Sequence, residues 1–175
     1  RDLTGVAMMD CKRALVECSG DVQKALDLLR SNSALKAEKK SSRVAADGIL
    51  ISTVTDTCAT IVELNSETDF AAKDSNFLSF GSKVEDFIAK NNVKDISDFN
   101  ESPLEDERKT LIQTIGENIQ LRRVETLDYE SNMNVGLYIH SDSKLGSIVV
   151  IKNGDNQIAK DIAMHVSAFN PLCLS

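Results

Sequence analysis

Strand-like segments occur in this sequence as close neighbours, and that arrangement strongly limits the folds that the chain can adopt. The β-branched runs at 48–54 and 58–64 flank Thr55-Asp56-Thr57, which fits a hairpin turn. Three more strand-like segments follow later in the chain, at 119–127, 134–140 and 145–151. Runs of strands beside separate helical segments are typical of α+β proteins. The sequence therefore predicts an α+β body with a mainly antiparallel sheet.

Helical periodicity fills the rest of this body and predicts helices on one side of the sheet. A helix is predicted over residues 70–89, capped by Thr68 or Asp69. Its inward positions share helical spacing and are Phe77, Phe80, Val84, Phe87 and Ile88. A second helix starts at Ser102-Pro103 and runs through Ile115, since proline is tolerated in a first helical turn. A third covers residues 155–169, where His165 is interpreted as a core residue beside Ile158 and Ile162, with a contact residue as the alternative.

Residues 1–43 are predicted to form a separate unit because their charge differs from that of the body. They carry nine basic and six acidic side chains, whereas residues 44–175 have a net charge of −10. Gly20 suits the end of one helix and Asp21 the cap of the next, which should stop near residues 31–33. Arg1–Thr4 resemble the end of a helix whose start is missing. The sequence thus predicts a small three-helix head with a basic connector, and a core domain at 44–175.

Composition and missing motifs exclude several functional classes. The 175-residue chain has a net charge of −7 and a pI near 4.9, which argues against a duplex-binding protein. Its longest apolar runs are strand-sized, so no membrane binding is expected. Gly-x-x-x-x-Gly-Lys-Ser/Thr and Gly-x-Gly-x-x-Gly are both missing, so no nucleotide or other cofactor is expected. With two unpaired histidines and no nucleophile elbow, neither a metal site nor an enzyme is expected.

The four cysteines are scattered without a Cys-x-x-Cys pair. Cys11, Cys18, Cys58 and Cys173 are therefore interpreted as reduced thiols in a compartment resembling the cytosol.

One segment stands out, at residues 63–74, where a strand turns through polar residues into a helix. Two interpretations remain open at this point. Asp69 and Phe70 could be the cap and a core residue of an ordinary helix. Alternatively, Phe70 projects outward as a wedge beside a carboxylate.

Residues 68–73 read Thr-Asp-Phe-Ala-Ala-Lys, which resembles the Thr-Asp-Phe-Val-Ala-Lys signature of the elongation factor Ts family. Residues 4–13 are similar to the family's opening motif, Thr-Gly-x-x-Met-Met-Asp-Cys-Lys. Residues 115–119 with Arg122-Arg123, and residues 162–166 with Pro171, resemble later family motifs. These matches keep the family's order across nearly the whole chain.

The resemblance implies a guanine nucleotide exchange factor that binds elongation factor Tu, disturbs its magnesium and phosphate site and promotes GDP release. It also implies that the head resembles ubiquitin-associated domains. The residues implied as partner contacts match family motifs and are Met8, Met9, Asp10, Lys12, Thr68, Asp69, Phe70, Ile115, Gly116 and His140. Around His140 the pattern departs from the family's, and Ala71 replaces a frequent Val.

Alternatives remain open at this level. The three-helix head would also suit a ubiquitin-binding adaptor, and an enzyme could use the thiol of Cys11 or Cys58. The chain could be a short family member that forms a homodimer or a fragment of a longer one. A bacterial cytoplasm is the expected location, with mitochondrial and plastid origins left open.

Overall fold

The structure is a computed structural model that describes residues 3–172, in which seven α-helices and five β-strands follow one another. The helices are α1 (Met8–Glu17), α2 (Val22–Lys40), α3 (Asp69–Ala72), α4 (Ser75–Lys90), α5 (Ser97–Asn100), α6 (Leu104–Ile115) and α7 (Asn156–Phe169). The strands are β1 (Asp47–Val54), β2 (Cys58–Ser66), β3 (Ile119–Asp128), β4 (Asn134–Ile139) and β5 (Gly146–Ile151). This architecture confirms the α+β prediction.

The strands form two antiparallel sheets. The central sheet has the order β1-β2-β3, with Ile51 opposite Val62 and Val62 opposite Val124. Strands β4 and β5 pair with each other in a second sheet. The antiparallel prediction is confirmed, but the five strands do not share one sheet. The two sheets meet where the backbone N–H of Leu50 in β1 donates to the Ser143 carbonyl at 2.7 Å and where β5 lies beside β2.

The main core lies between the central sheet and helices α4 to α6. Helix α4 buries an apolar stripe at helical spacing that includes Phe77, Val84 and Ile88, as predicted. These side chains pack in one cluster with Val62 and Leu64 of β2. Each large aliphatic or aromatic side chain buried there contributes about 1.5–3 kcal/mol relative to exposure. This core supports the loops at the edge of the sheet.

The predicted helix at 70–89 is two helices, which corrects the sequence interpretation. Helix α3 ends at Ala72, and α4 begins at Ser75 with Asp74 as its N-cap. The Asp74 carboxylate accepts a hydrogen bond from the backbone N–H of Asn76 at 2.8 Å. An N-cap residue has an extended backbone, so a helix cannot continue through it.

The head also differs from the prediction. Over residues 3–43 it contains two helices rather than three: residues 3–7 are a turn and extended chain, whereas Arg1 and Asp2 lie outside the described residues. Helix α2 does not stop near residues 31–33 but continues to Lys40. Tertiary contacts explain the extension, because Ser33 donates to Gln113 of α6 and Ala37 joins the main core.

Helix α7 packs against β4 and β5 through small side chains. Its buried positions are Ala159, Ala163 and Ser167. The backbones approach so closely that a Cβ added to Gly136 would lie 2.1 Å from the Ala159 carbonyl. Because the small-residue face is buried, Ile158 is exposed.

The interpretation of His165 as a core residue was wrong. Its ring lies on the exposed side of α7 and stacks on Phe169 at a centroid distance of 4.4 Å.

Among the described residues, Cys58 is buried, Cys11 and Cys18 are half-buried, and all three are free thiols; Cys173 lies outside the described range. Within residues 3–172, no helix is long and apolar enough to cross a membrane.

Candidate partner-binding site

The residues 68–73, called the tip below, connect β2 to α4 and project Phe70 into solvent. Thr68 caps α3, with the backbone N–H of Ala71 donating to its hydroxyl at 3.3 Å. Ala71 and Ala72 are buried, whereas the next residue toward the N-terminus, Phe70, is 82% exposed. Since neighbouring positions of a helical turn point in different directions, anchoring the two alanines turns the ring outward. Phe70 is therefore not a core residue.

Asp69 places a negative charge beside this ring. Its carboxylate accepts from the Lys73 ammonium at 2.8 Å, one helical turn further on. That hydrogen bond holds the pKa of Asp69 below its ordinary value. At neutral pH the tip thus presents an aromatic ring next to a half-exposed, ionised carboxylate.

The loop between α6 and β3 lies against the tip and brings Ile115 and Gly116 close to it. Gly116 ends α6 in the left-handed conformation, with φ of 89°, and its N–H donates to Ile112 at 2.9 Å. The next residue, Glu117, accepts hydrogen bonds from both the backbone N–H and the hydroxyl of Thr68. The ammonium of Lys40 donates to the Gly116 carbonyl. Ile115 is half-buried and Gly116 is exposed.

The loop between β4 and β5 carries His140 toward the same edge. The ring of His140 is half-exposed and its Nδ1 lies 3.1 Å from Asp142. The Lys144 ammonium donates to Asp47 of β1 at 2.6 Å. Both charges of that pair act on the carboxyl of Asp69, so this loop and the tip lie close enough to interact electrostatically.

The predicted contacts on α1 form a second surface, the α1 patch, defined as Met8, Met9 and Lys12. Met8 is 65% exposed and Met9 63%, and Lys12 is also exposed. These three residues belong to a different element from the tip, α1, which is bonded to α2 and α6 through Asp10.

Asp10 differs from its neighbours in the α1 patch because its carboxylate serves this chain's own fold. The side chain is 16% exposed and bonds to Arg13, to Lys36 at 2.9 Å and to Gln113 at 3.3 Å. The Lys36 bond and then the Arg13 bond lower the pKa of Asp10 to about 2. Asp10 therefore joins α1 to α2 and α6.

A family profile described as Elongation factor TS matches residues 67–175, which include the tip and both loops beside it. The chain belongs to the elongation factor Ts family. The resemblance that rested on short motifs is thereby confirmed.

Curated relatives support the same assignment over the whole chain. Elongation factor Ts of Pseudoalteromonas atlantica is 44% identical over 98% of this chain and 59% of its own length. Those of Hahella chejuensis and Marinobacter nauticus are each 45% identical, over 100% and 98% of this chain. The alignments with this chain cover 61% and 59% of the lengths of these two relatives. The chain thus spans about three fifths of the length of these relatives.

Sequence reasoning missed the residues that hold the elongation factor Ts signature in place. Glu117 lies inside the family motif at residues 115–119, but its hydrogen-bond partner Thr68 is 49 residues away in the chain. Glu67, Lys40 and Asn118 were likewise not singled out. The sequence offered one signal for them, the polar pair Glu117-Asn118 directly after Gly116, the glycine that ends a helix. In the structure Glu117 is half-buried, and a half-buried carboxylate needs hydrogen-bond partners.

Within residues 3–172 no group of three or more His, Cys, Asp or Glu side chains is arranged to hold a metal ion.

Proposed function

We propose that this chain acts as a guanine nucleotide exchange factor for elongation factor Tu, in the cytoplasm, and itself performs no covalent step. One observation carries the proposal: Phe70, in the family signature, is 82% exposed on a helix anchored by buried neighbours. Exposing a large aromatic ring is unfavourable in water, so an ordinary strand–helix junction would bury it. Such a ring is suited to enter a partner's pocket.

The physical basis of exchange is unequal affinity for two states of the partner. Mg²⁺ in a nucleotide site bridges phosphate oxygens and requires near-octahedral coordination. Inserted beside the nucleotide site of elongation factor Tu, the Phe70 ring would displace side chains that support the metal. The Asp69 carboxylate would compete with the phosphates for hydrogen-bond donors of the partner. The factor then binds the nucleotide-free partner more tightly than the GDP-bound one. By linkage, GDP weakens the binding of the factor by the same ratio.

The other predicted contacts are proposed to orient this insertion. Thr68 belongs to the tip, Ile115 and Gly116 directly precede Glu117, which accepts from Thr68, and His140 lies on the β4–β5 loop. These residues would meet the partner around the inserted side chain.

We propose a second contact at the α1 patch, on the head (residues 1–43), for which the family resemblance implies a likeness to ubiquitin-associated domains. Flexible, polarisable methionines adapt to a partner surface, and Lys12 adds a positive charge. Asp10 holds this patch on α2 and α6. Because head and core domain (44–175) belong to one chain, binding of either raises the effective concentration of the other.

Phe70→Ala tests the proposal. Release of a fluorescent GDP analogue from elongation factor Tu, followed by stopped flow, should slow at least about tenfold, since interface aromatics commonly contribute about 2 kcal/mol or more. The matched control is Phe169→Ala, which truncates another exposed phenylalanine, on α7. Thermal unfolding should show that both variants remain folded. Unchanged GDP release with folded Phe70→Ala would contradict the proposal.

A further inference from the structure

Two glutamates lie on the two loops beside the candidate site, and each accepts a hydrogen bond from the backbone of the opposite loop. Glu117 accepts the hydroxyl of Thr68 through Oε1 at 2.8 Å and its backbone N–H through Oε2 at 3.0 Å. In the opposite direction, Glu67 accepts the backbone N–H of Asn118 at 2.6 Å. We call Glu67 and Glu117 the reciprocal glutamate pair. Each loop thus supplies a carboxylate to the backbone of the other.

The surroundings of the pair favour one fixed arrangement. Asn118 is buried, and its side-chain amide donates to the Arg43 carbonyl at 2.8 Å. The Arg43 guanidinium lies 3.4 Å from Glu67. Glu67 is 22% exposed at its side chain, so water competes only weakly for its hydrogen bonds. Charge-assisted hydrogen bonds of this kind are stronger than neutral ones.

The chemistry of Thr68 gives Glu117 a specific effect. The Thr68 hydroxyl accepts from the N–H of Ala71 and therefore caps α3. An ionised carboxylate can only accept, so it draws the hydroxyl proton toward itself and leaves an oxygen lone pair for Ala71. Glu117 thereby holds both the backbone and the cap of a helix that is only four residues long. So short a helix has little stability of its own and depends on such contacts.

We propose that Glu117 is a positioning residue that fixes α3 so that Phe70 is presented in one orientation. Glu67 has the complementary role on the loop that carries Ile115 and Gly116. The effect on exchange rests on the function proposed above, whereas the effect on the ring orientation does not.

The orientation is tested in the free protein. The sequence contains no tryptophan, so Phe70→Trp introduces a single indole at the tip. Time-resolved fluorescence anisotropy then measures its nanosecond motion. Adding Glu117→Ala should at least double the amplitude of that motion. Adding Glu85→Ala, an exposed glutamate on α4, should leave it unchanged.

Glu117→Gln serves as a second variant that is less disruptive to folding. The glutamine oxygen can accept the Thr68 N–H, while the Thr68 hydroxyl turns to accept from the glutamine amide. The motion should then lie between those of the parent and Glu117→Ala. An indole equally immobile in the parent and in both Glu117 variants would overturn the proposal.

A double-mutant cycle connects positioning to exchange. Glu117→Ala should slow GDP release about tenfold in the parent chain but less than twofold when Phe70→Ala is already present, since the two changes remove one interaction. Equal slowing in both backgrounds would overturn the proposal that Glu117 acts through Phe70. A mobile indole with unchanged GDP release would support the positioning role and contradict the proposed function.

Discussion

The α1–α2 pair and the unit formed by β4, β5 and α7 are both attached to the body that contains the central sheet, but in different ways. Helix α2 is part of the body's packing: Ala37 lies in the main core, and Ser33 donates to Gln113 of α6. The β4–β5–α7 unit is joined by the Leu50–Ser143 backbone bond and the Asp47–Lys144 ion pair at its loop, and by the approach of β5 to β2.

The two units also pack differently inside. The α1–α2 pair has an apolar cluster of its own that includes Val6 and Leu29. Helix α7 buries small side chains instead and leaves larger ones such as Ile158 and Met164 exposed. Burying small side chains contributes little hydrophobic stabilisation, so close backbone packing must hold the unit together. The comparison teaches that the α1–α2 pair should unfold with the body, whereas the β4–β5–α7 unit should open separately.

The largest effect in this comparison is expected for Gly136→Ala. The added Cβ would lie 2.1 Å from the backbone carbonyl of Ala159, and no side-chain rotation relieves an overlap with backbone. We expect a local loss of about 3 kcal/mol. Hydrogen exchange followed by mass spectrometry should show lost protection in β4, β5 and α7 while β2 stays protected.

Gly81→Ala is the control for this change. Its Cβ would meet the nearest atom, Ile49 Cδ1, at 3.4 Å, and alanine favours the helix in which it lies. A uniform loss of protection across the molecule in Gly136→Ala would show that the unit does not open separately.

Asp10→Asn should have a smaller effect and should loosen the α1–α2 pair. Because the pKa of Asp10 is lowered to about 2 in the folded chain, its ionised form stabilises the fold above about pH 4. This stabilisation is lost as the pH falls toward 2. We expect a loss of about 1–2 kcal/mol at pH 7, discounted because Arg13 and Lys36 are partly exposed.

Denaturant unfolding at several pH values measures this difference, with Asp27→Asn on the exposed side of α2 as the control. If the difference between Asp10→Asn and the parent did not shrink below pH 4, the carboxylate would not be the stabilising group.

The smallest effect is expected for Lys144→Ala, which removes the ion pair with Asp47 at the attachment of the β4–β5–α7 unit. The pair lowers the pKa of Asp47 and raises that of Lys144, but exposed pairs are weak and are screened by salt. The loss of stability should be below that of Asp10→Asn and should disappear at high salt. Faster hydrogen exchange at the Leu50 amide would show that the loss of stability arises where the β4–β5–α7 unit is attached. A loss of stability larger than that of Asp10→Asn would contradict the ranking of these two effects.

Local patterns predicted much of this fold. The hairpin at Thr55-Asp56-Thr57, the caps at Asp21 and Thr68 and the inward stripe of α4 follow from turn, capping and periodicity rules. Tertiary contacts decided what the sequence could not show. Helix α2 extends because Ala37 and Ser33 meet the body, and α7 buries its alanines because Gly136 permits close approach.

The candidate site was predictable to a similar degree. The family signature identified Asp69 and Phe70, but periodicity left open whether the ring was buried. Its exposure follows from the burial of Ala71 and Ala72, which depends on the sheet beneath them. The bond of Glu117 to Thr68 joins residues distant in sequence, so no local pattern reveals it.

The interruption between α3 and α4 separates the candidate site from the long core helix. Because α4 starts at its own cap, Asp74, its register in the core does not depend on which residues precede it. The two outward positions of α3, Asp69 and Phe70, can therefore vary without repacking the interior, whereas Ala71 and Ala72 are buried and must stay small. If α3 is the contact proposed above, a change of Asp69 and Phe70 alone is the way to alter the partner.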